Sequence, residues 1–184
     1  AKKAIAIGRK YDTLLEVYFD GQGYAQKDEI AQVRKYHKNP NMWDYFLRTR
    51  IAVDRLEDLL DEKEGNLDKV QMLFADMEER EEAWKELERE GVFELVGSLQ
   101  YNIEINAVGV NKGTGLVNLG KMLGIRREEI MACGDGDNDI AMLKEVGFGV
   151  AMANAEEKVK AVAEHNNKGD CDCLGQPHPL KCHH

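Results

Sequence analysis

Seventeen residues constrain this chain more than any others. Ile130-Met131-Ala132-Cys133 is a short apolar run. Gly134-Asp135-Gly136-Asp137-Asn138-Asp139 follows, and Ile140, Met142, Leu143 and Val146 then recur at helical spacing. A strand, a Gly/Asp loop and a helix in that order form a βα unit, which sets the acids at the carboxyl end of a parallel sheet, where open α/β sheets bind ligands. Carboxylates this close repel one another unless a cation lies between them. Hard oxygen donors on a loop with room for water fit magnesium. The other reading of the same Asp-Gly pairs is a solvated turn. Cys133 is expected to be a small buried residue of the strand.

Charge narrows the function classes. With a net charge of -9 and a pI of about 5.1, the chain lacks the basic surface that nucleic-acid binding uses. An acidic protein that takes up phosphate needs a local cation, which draws attention to Lys112. No run of about 18 apolar residues marks a membrane-spanning helix, and no charged-then-apolar leader opens the sequence, so a cytoplasmic protein is expected.

Two textures divide the chain. Up to about residue 110, a short helix over Ala1–Lys10 precedes strands at Leu14–Phe19, Asp68–Asp76, Phe93–Val96 and Asn102–Ile105. A turn at Asp20-Gly21-Gln22-Gly23 starts a hairpin partner at Tyr24-Ala25, and Gln26–Asp61 is mostly polar with helical pieces. Glu78–Glu90 is a charged helix whose acids read as a solvated face. This order predicts an α+β unit, with its helices on one face of a mainly antiparallel sheet. Beyond residue 110 glycine becomes frequent and helix alternates with strand: Gly115–Leu123, Ile130–Cys133, Ile140–Val146, Gly149–Met152 and Glu156–Glu164. That alternation predicts a parallel α/β sheet. The expected organisation is 1–110, 111–165, and an irregular tail over 166–184.

Asn111-Lys112-Gly113-Thr114-Gly115-Leu116, the acidic loop, Met142 and Val150-Ala151-Met152-Ala153-Asn154-Ala155 occur in series. Together they resemble the C-terminal half of the haloacid dehalogenase-like superfamily, specifically the Cof-type phosphatases with an inserted α/β cap, from about residue 1 to His165. The resemblance implies a partial Rossmann-like core over 111–165 and an α+β cap over 1–110. It also implies magnesium-dependent hydrolysis of small phosphorylated metabolites through an aspartyl-phosphate. In that scheme Asp135 is the direct magnesium ligand. Asp139 holds a metal-bound water or orients Lys112, which grips phosphate, while Asn138 and Asn154 border the substrate.

The family's Asp-x-Asp-Gly-Thr nucleophile strand and its Ser/Thr motif have no counterpart before Leu14. Asp170-Cys171-Asp172-Cys173-Leu174 lacks both the preceding strand and the Gly-Thr pair. The chain is therefore expected to be inactive alone and to self-associate through an incomplete core. The alternative is a non-catalytic binding piece. Cys171, Cys173, Cys182, His178, His183 and His184 fit no common zinc spacing and read as an end foreign to the family.

Overall fold

The structure is a computed structural model describing residues 1–63 and 67–166. The Cys/His tail lies outside the described residues. The chain divides into two compact units, Ala1–Val110 and Asn111 onward.

The first unit is built on a six-stranded sheet in the order β3-β2-β1-β4-β6-β5. Its strands are β1 (Thr13–Phe19), β2 (Gln22–Gln26), β3 (Ile51–Val53), β4 (Leu67–Phe74), β5 (Phe93–Val96) and β6 (Asn102–Ala107). All neighbours are antiparallel except β2 and β3. Asp20, at a positive φ of 50°, and Gly21, at 76°, make the tight turn from β1 to β2.

Because strand side chains alternate, Leu15, Val17 and Phe19 point to one face. There they pack with Ile5 of α1 (Lys2–Gly8), Leu56 of α5 (Leu56–Glu62), and Ala83 and Leu87 of α6 (Met77–Glu90). Asp76 caps α6, its carboxylate accepting the N–H of Glu78 at 2.7 Å.

The expectation of helices on one face is corrected. Leu14 and Leu73, paired across β1 and β4, point the other way. They pack with Val33 and Tyr36 of α3 (Val33–Tyr36) and Phe46 of α4 (Trp43–Thr49), beyond the short α2 (Lys27–Ala31). On this second face Glu16 is fully buried and ion-paired with Arg50. Glu16 also accepts hydrogen bonds from Tyr18 Oη and Gln71 Nε2, each at 3.0 Å. A Glu and an Arg in a polar stretch read as surface, and this pairing hides the second layer from sequence patterning.

The second unit holds a parallel sheet, β7 (Met131–Gly134), β8 (Phe148–Ala151) and β9 (His165–Asn166), in that order. Its helices are α7 (Lys112–Met122), α8 (Ile140–Glu145) and α9 (Glu157–Lys160). The helix expected over Glu156–Glu164 stops after one turn. Leu143, Ala151, Ala155 and Val159 form one small core, and Ile130, Ala132 and Val146 another. Cys133 is exposed, which corrects its expected burial. Among the described residues β7 has a neighbour on one side only, and its alternation turns Ala132 and Gly134 inward and Met131 and Cys133 outward.

Candidate active site

The acidic loop leaves the carboxyl end of β7 and closes into a single 3-10 turn, Asp137–Asp139, before α8. Two glycines make this possible. A Cβ on Gly134 would lie 2.4 Å from the Cβ of Asp139, so only glycine lets the loop fold back on itself. A Cβ on Gly113 would lie 2.7 Å from the carbonyl oxygen of Ala141, so glycine also lets α7 approach α8.

That approach positions Lys112. Asn111 caps α7: its side chain accepts the Thr114 N–H at 3.0 Å, and Thr114 Oγ1 accepts the Asn111 N–H at 3.1 Å. Lys112 is thereby fixed at the first helical position, and its Nζ reaches Asp139 Oδ1 at 2.6 Å. The other oxygen of Asp139 accepts the backbone N–H groups of Asp135 at 3.0 Å and Gly136 at 3.1 Å. Both oxygens of this buried carboxylate are thus engaged. Burial by itself raises the pKa of Asp139, but the Lys112 ammonium and the two N–H groups outweigh it and hold the carboxyl below its usual range.

The other two acids are exposed, and each is met from the segment that follows β8, Asp135 from its turn and Asp137 from α9. Asn154 Nδ2 donates to Asp135 Oδ2 at 2.7 Å. Lys158 Nζ pairs with Asp137 Oδ2 at 2.5 Å and with Glu156 at 3.1 Å. Asp137 therefore has an ionic partner. Asn138 is half-buried, its Oδ1 lying where a Cβ on Gly136 would meet it at 2.8 Å. Lys112, Asp135, Asn138, Asp139 and Asn154 are all brought together at one end of the parallel sheet. Lys158 is the member that sequence reading misses. Parallel neighbours place their carboxyl-end turns side by side, so a cation on α9, which leaves the second turn, reaches the first loop.

This donor set fits magnesium in part. Asp135 presents an exposed carboxylate of the right hardness, whereas both oxygens of the buried Asp139 already accept from Lys112 and the loop backbone. Among the described residues no three His, Cys, Asp or Glu side chains converge on a point that would hold a metal. Exposed carboxylates held apart in this way offer a hard cation fewer converging oxygens than it requires.

The sequence profile of the haloacid dehalogenase-like hydrolases matches residues 1–170. The chain belongs to that family. Over 86 residues it is 45% identical to the 5-amino-6-(5-phospho-D-ribitylamino)uracil phosphatase YcsE of Bacillus subtilis, covering 47% of this chain and 34% of that protein. Over 72 residues it is 44% identical to a phosphoglycolate phosphatase of Methanosarcina mazei, covering 39% of this chain and 31% of the relative. Among solved structures, a haloacid dehalogenase-like hydrolase from B. subtilis superposes with a TM-score of 0.72 at 25% identity, over 90% of this chain and 65% of that one. The chain spans about a third of the length of these two curated relatives.

Proposed function

We propose that the protein to which this chain belongs is a magnesium-dependent phosphatase of small phosphorylated metabolites. The observation that supports this most is the contact between Lys112 and Asp139. It puts an ammonium at the start of α7, beside an exposed Asp135, in a loop whose acids are individually held. An ammonium at the positive end of a helix dipole suits phosphate oxygens. Asp139 aims Lys112 and fixes the loop backbone, Asp135 offers its carboxylate to the cation, and Asn138 and Asn154 border the substrate. Magnesium, when bound, would offset the charge of the phosphoryl group and polarise it. Residues 1–110 serve in this reading as the substrate-selecting cap, and the setting is cytoplasmic. Water completes the cycle by hydrolysing an aspartyl-phosphate carried on an Asp-x-Asp-Gly-Thr segment that residues 1–184 do not contain.

In a second reading the chain acts as a non-catalytic binding piece. Coding sequence upstream of Ala1 separates the two. An in-frame Asp-x-Asp-Gly-Thr, with magnesium-dependent release of phosphate from p-nitrophenyl phosphate by the extended protein, is the expected result. A start codon directly before Ala1, or an extended protein without phosphatase activity, refutes the enzyme reading.

A further inference from the structure

The first unit is electrically two-sided. On the face covered by α1, α5 and α6, cations meet carboxylates: Lys2 pairs with Asp61, Lys3 with Glu90, Arg9 with Glu57 and Lys10 with Glu86. Acids remain in excess there. Helix α6 carries seven carboxylates against three cations. Its Glu78, Glu81, Glu82 and Glu88 are exposed and make no ion pair among the described residues.

The α3–α4 layer on the opposite face reverses this. Arg34, Lys38 and Arg48 are exposed, and their contacts are with neutral groups. The Arg34 guanidinium lies 5.2 Å from the centre of the Trp43 ring. Lys38 Nζ donates to the Ala75 carbonyl at 2.9 Å, and Arg48 Nε to the Asp44 carbonyl at 3.2 Å. Tyr45 and Leu47 of α4 are exposed beside them, at 49% and 46%. Arg, Trp and Tyr are the side chains that most often carry binding energy at the centre of an interface.

A basic island on a chain of net charge -9 calls for an acidic partner with a complementary local surface, because the overall fields of two such molecules repel. A nucleic acid would meet the same long-range repulsion without relief. One acidic surface always present at equal concentration is α6 of another copy. We propose that the α3–α4 surface of one molecule docks the α6 face of a second, head to tail. The two patches lie on opposite sides of one sheet, so the contact is heterologous and leaves a free patch at each end.

Sedimentation velocity of the whole chain tests this at about 10 mM and about 1 M salt, between which the Debye length shrinks from roughly 30 Å to 3 Å. The expected result is concentration-dependent association at low salt that reverts to monomer at high salt. Two double variants on exposed residues then separate the patches. Arg34→Gln with Arg48→Gln leaves only the acidic patch, and Glu81→Gln with Glu82→Gln leaves only the basic one. Each should be monomeric alone, and an equimolar mixture should form a dimer and nothing larger. A wild-type chain that stays monomeric at low salt overturns the proposal, as does a mixture that fails to associate. Association of either variant by itself does so too, since it places the contact elsewhere, for instance on the untouched second unit.

Discussion

Arg50→Met is the most discriminating change in the first unit. Glu16 has no solvent exposure, and the Arg50 side chain retains 11%. Methionine preserves much of the aliphatic stem but removes the guanidinium, whose carbon lies 4.9 Å from the centre of the Phe46 ring. It removes the charge and the hydrogen bond of 2.6 Å to Tyr18 Oη. Breaking a buried ion pair from one side costs about 3–5 kcal/mol, because the remaining charge stays buried. Tyr18 and Gln71 still donate to Glu16, which favours the lower end, about 3 kcal/mol. At about 4–8 °C per kcal/mol for a unit of this size, the melting temperature should fall by roughly 12–24 °C.

The pH dependence identifies the cause of that loss. Burial pushes the Glu16 carboxyl above its usual value of 4.5, and Arg50 is the first influence opposing that rise. Without Arg50 the folded pKa rises further. A raised carboxyl contributes stability below its unfolded pKa and loses it as pH climbs through the folded value. The deficit of Arg50→Met should therefore be small near about pH 5 and largest near about pH 8. Both tryptophans, Trp43 and Trp84, lie in the first unit, so urea unfolding followed by their fluorescence reads this unit alone. Glu16→Leu combined with Arg50→Met should return to within about 1 kcal/mol of the parent. A deficit below about 1 kcal/mol at pH 8, or one independent of pH, would refute the reasoning.

Changes at the site have equally definite outcomes. In the extended enzyme, Lys112→Ala should lower kcat/KM on the order of a hundredfold, and a change within about twofold would end its phosphate-gripping role. Asp135→Asn should abolish magnesium-dependent hydrolysis while circular dichroism stays unchanged; normal turnover of p-nitrophenyl phosphate would remove it from the mechanism. Gly134→Ala should shift the amide resonances of Asp135 and Gly136, because its methyl would occupy the place of Asp139 Cβ; an unperturbed spectrum would contradict that packing. Asp139 is held below its ordinary value of 3.8, so the stability it contributes is present above that pH and is lost as pH falls through the folded value. The stability advantage of the parent over Asp139→Asn should therefore shrink as pH falls through the folded value, and an advantage that does not change with pH would deny the linkage.

Legibility from sequence followed the physics of each element. Leu14–Phe19 reads as a strand from its β-formers and folds as β1, and the glycine-rich alternation after residue 110 reads as parallel βα units and folds so. The second helical layer of the first unit does not read, because Glu16 and Arg50 look like surface residues until long-range pairing buries them. Cys133 misleads for the converse reason: apolar character states a preference for burial, while the face to which strand alternation turns the side chain decides it. At the site, Lys112 and Asp139 stand out because the acidic loop and the helix start are local patterns. Lys158 does not, since 21 residues separate it from Asp137 and only the parallel pairing of β7 with β8 brings them together.

The strand order of the first unit carries an implication for how such chains can diverge. Strands β3-β2-β1 and β4-β6-β5 are two sub-sheets joined along a single seam, β1 against β4. The excursion that holds α2, α3, α4 and α5 leaves β2 and returns to β4, tied to the sheet by β3 and by a few buried side chains, Val33, Tyr36, Phe46 and Leu56 among them, while many of its remaining positions face solvent. Loop-closure entropy grows slowly, so doubling the length of such an excursion costs only about 0.6 kcal/mol. Lineages can therefore lengthen, trim or rewrite this segment while the seam keeps its register. The sheet then acts as a fixed socket into which evolution can fit interchangeable inserts, and the variable surface of the unit should concentrate between residues 27 and 66.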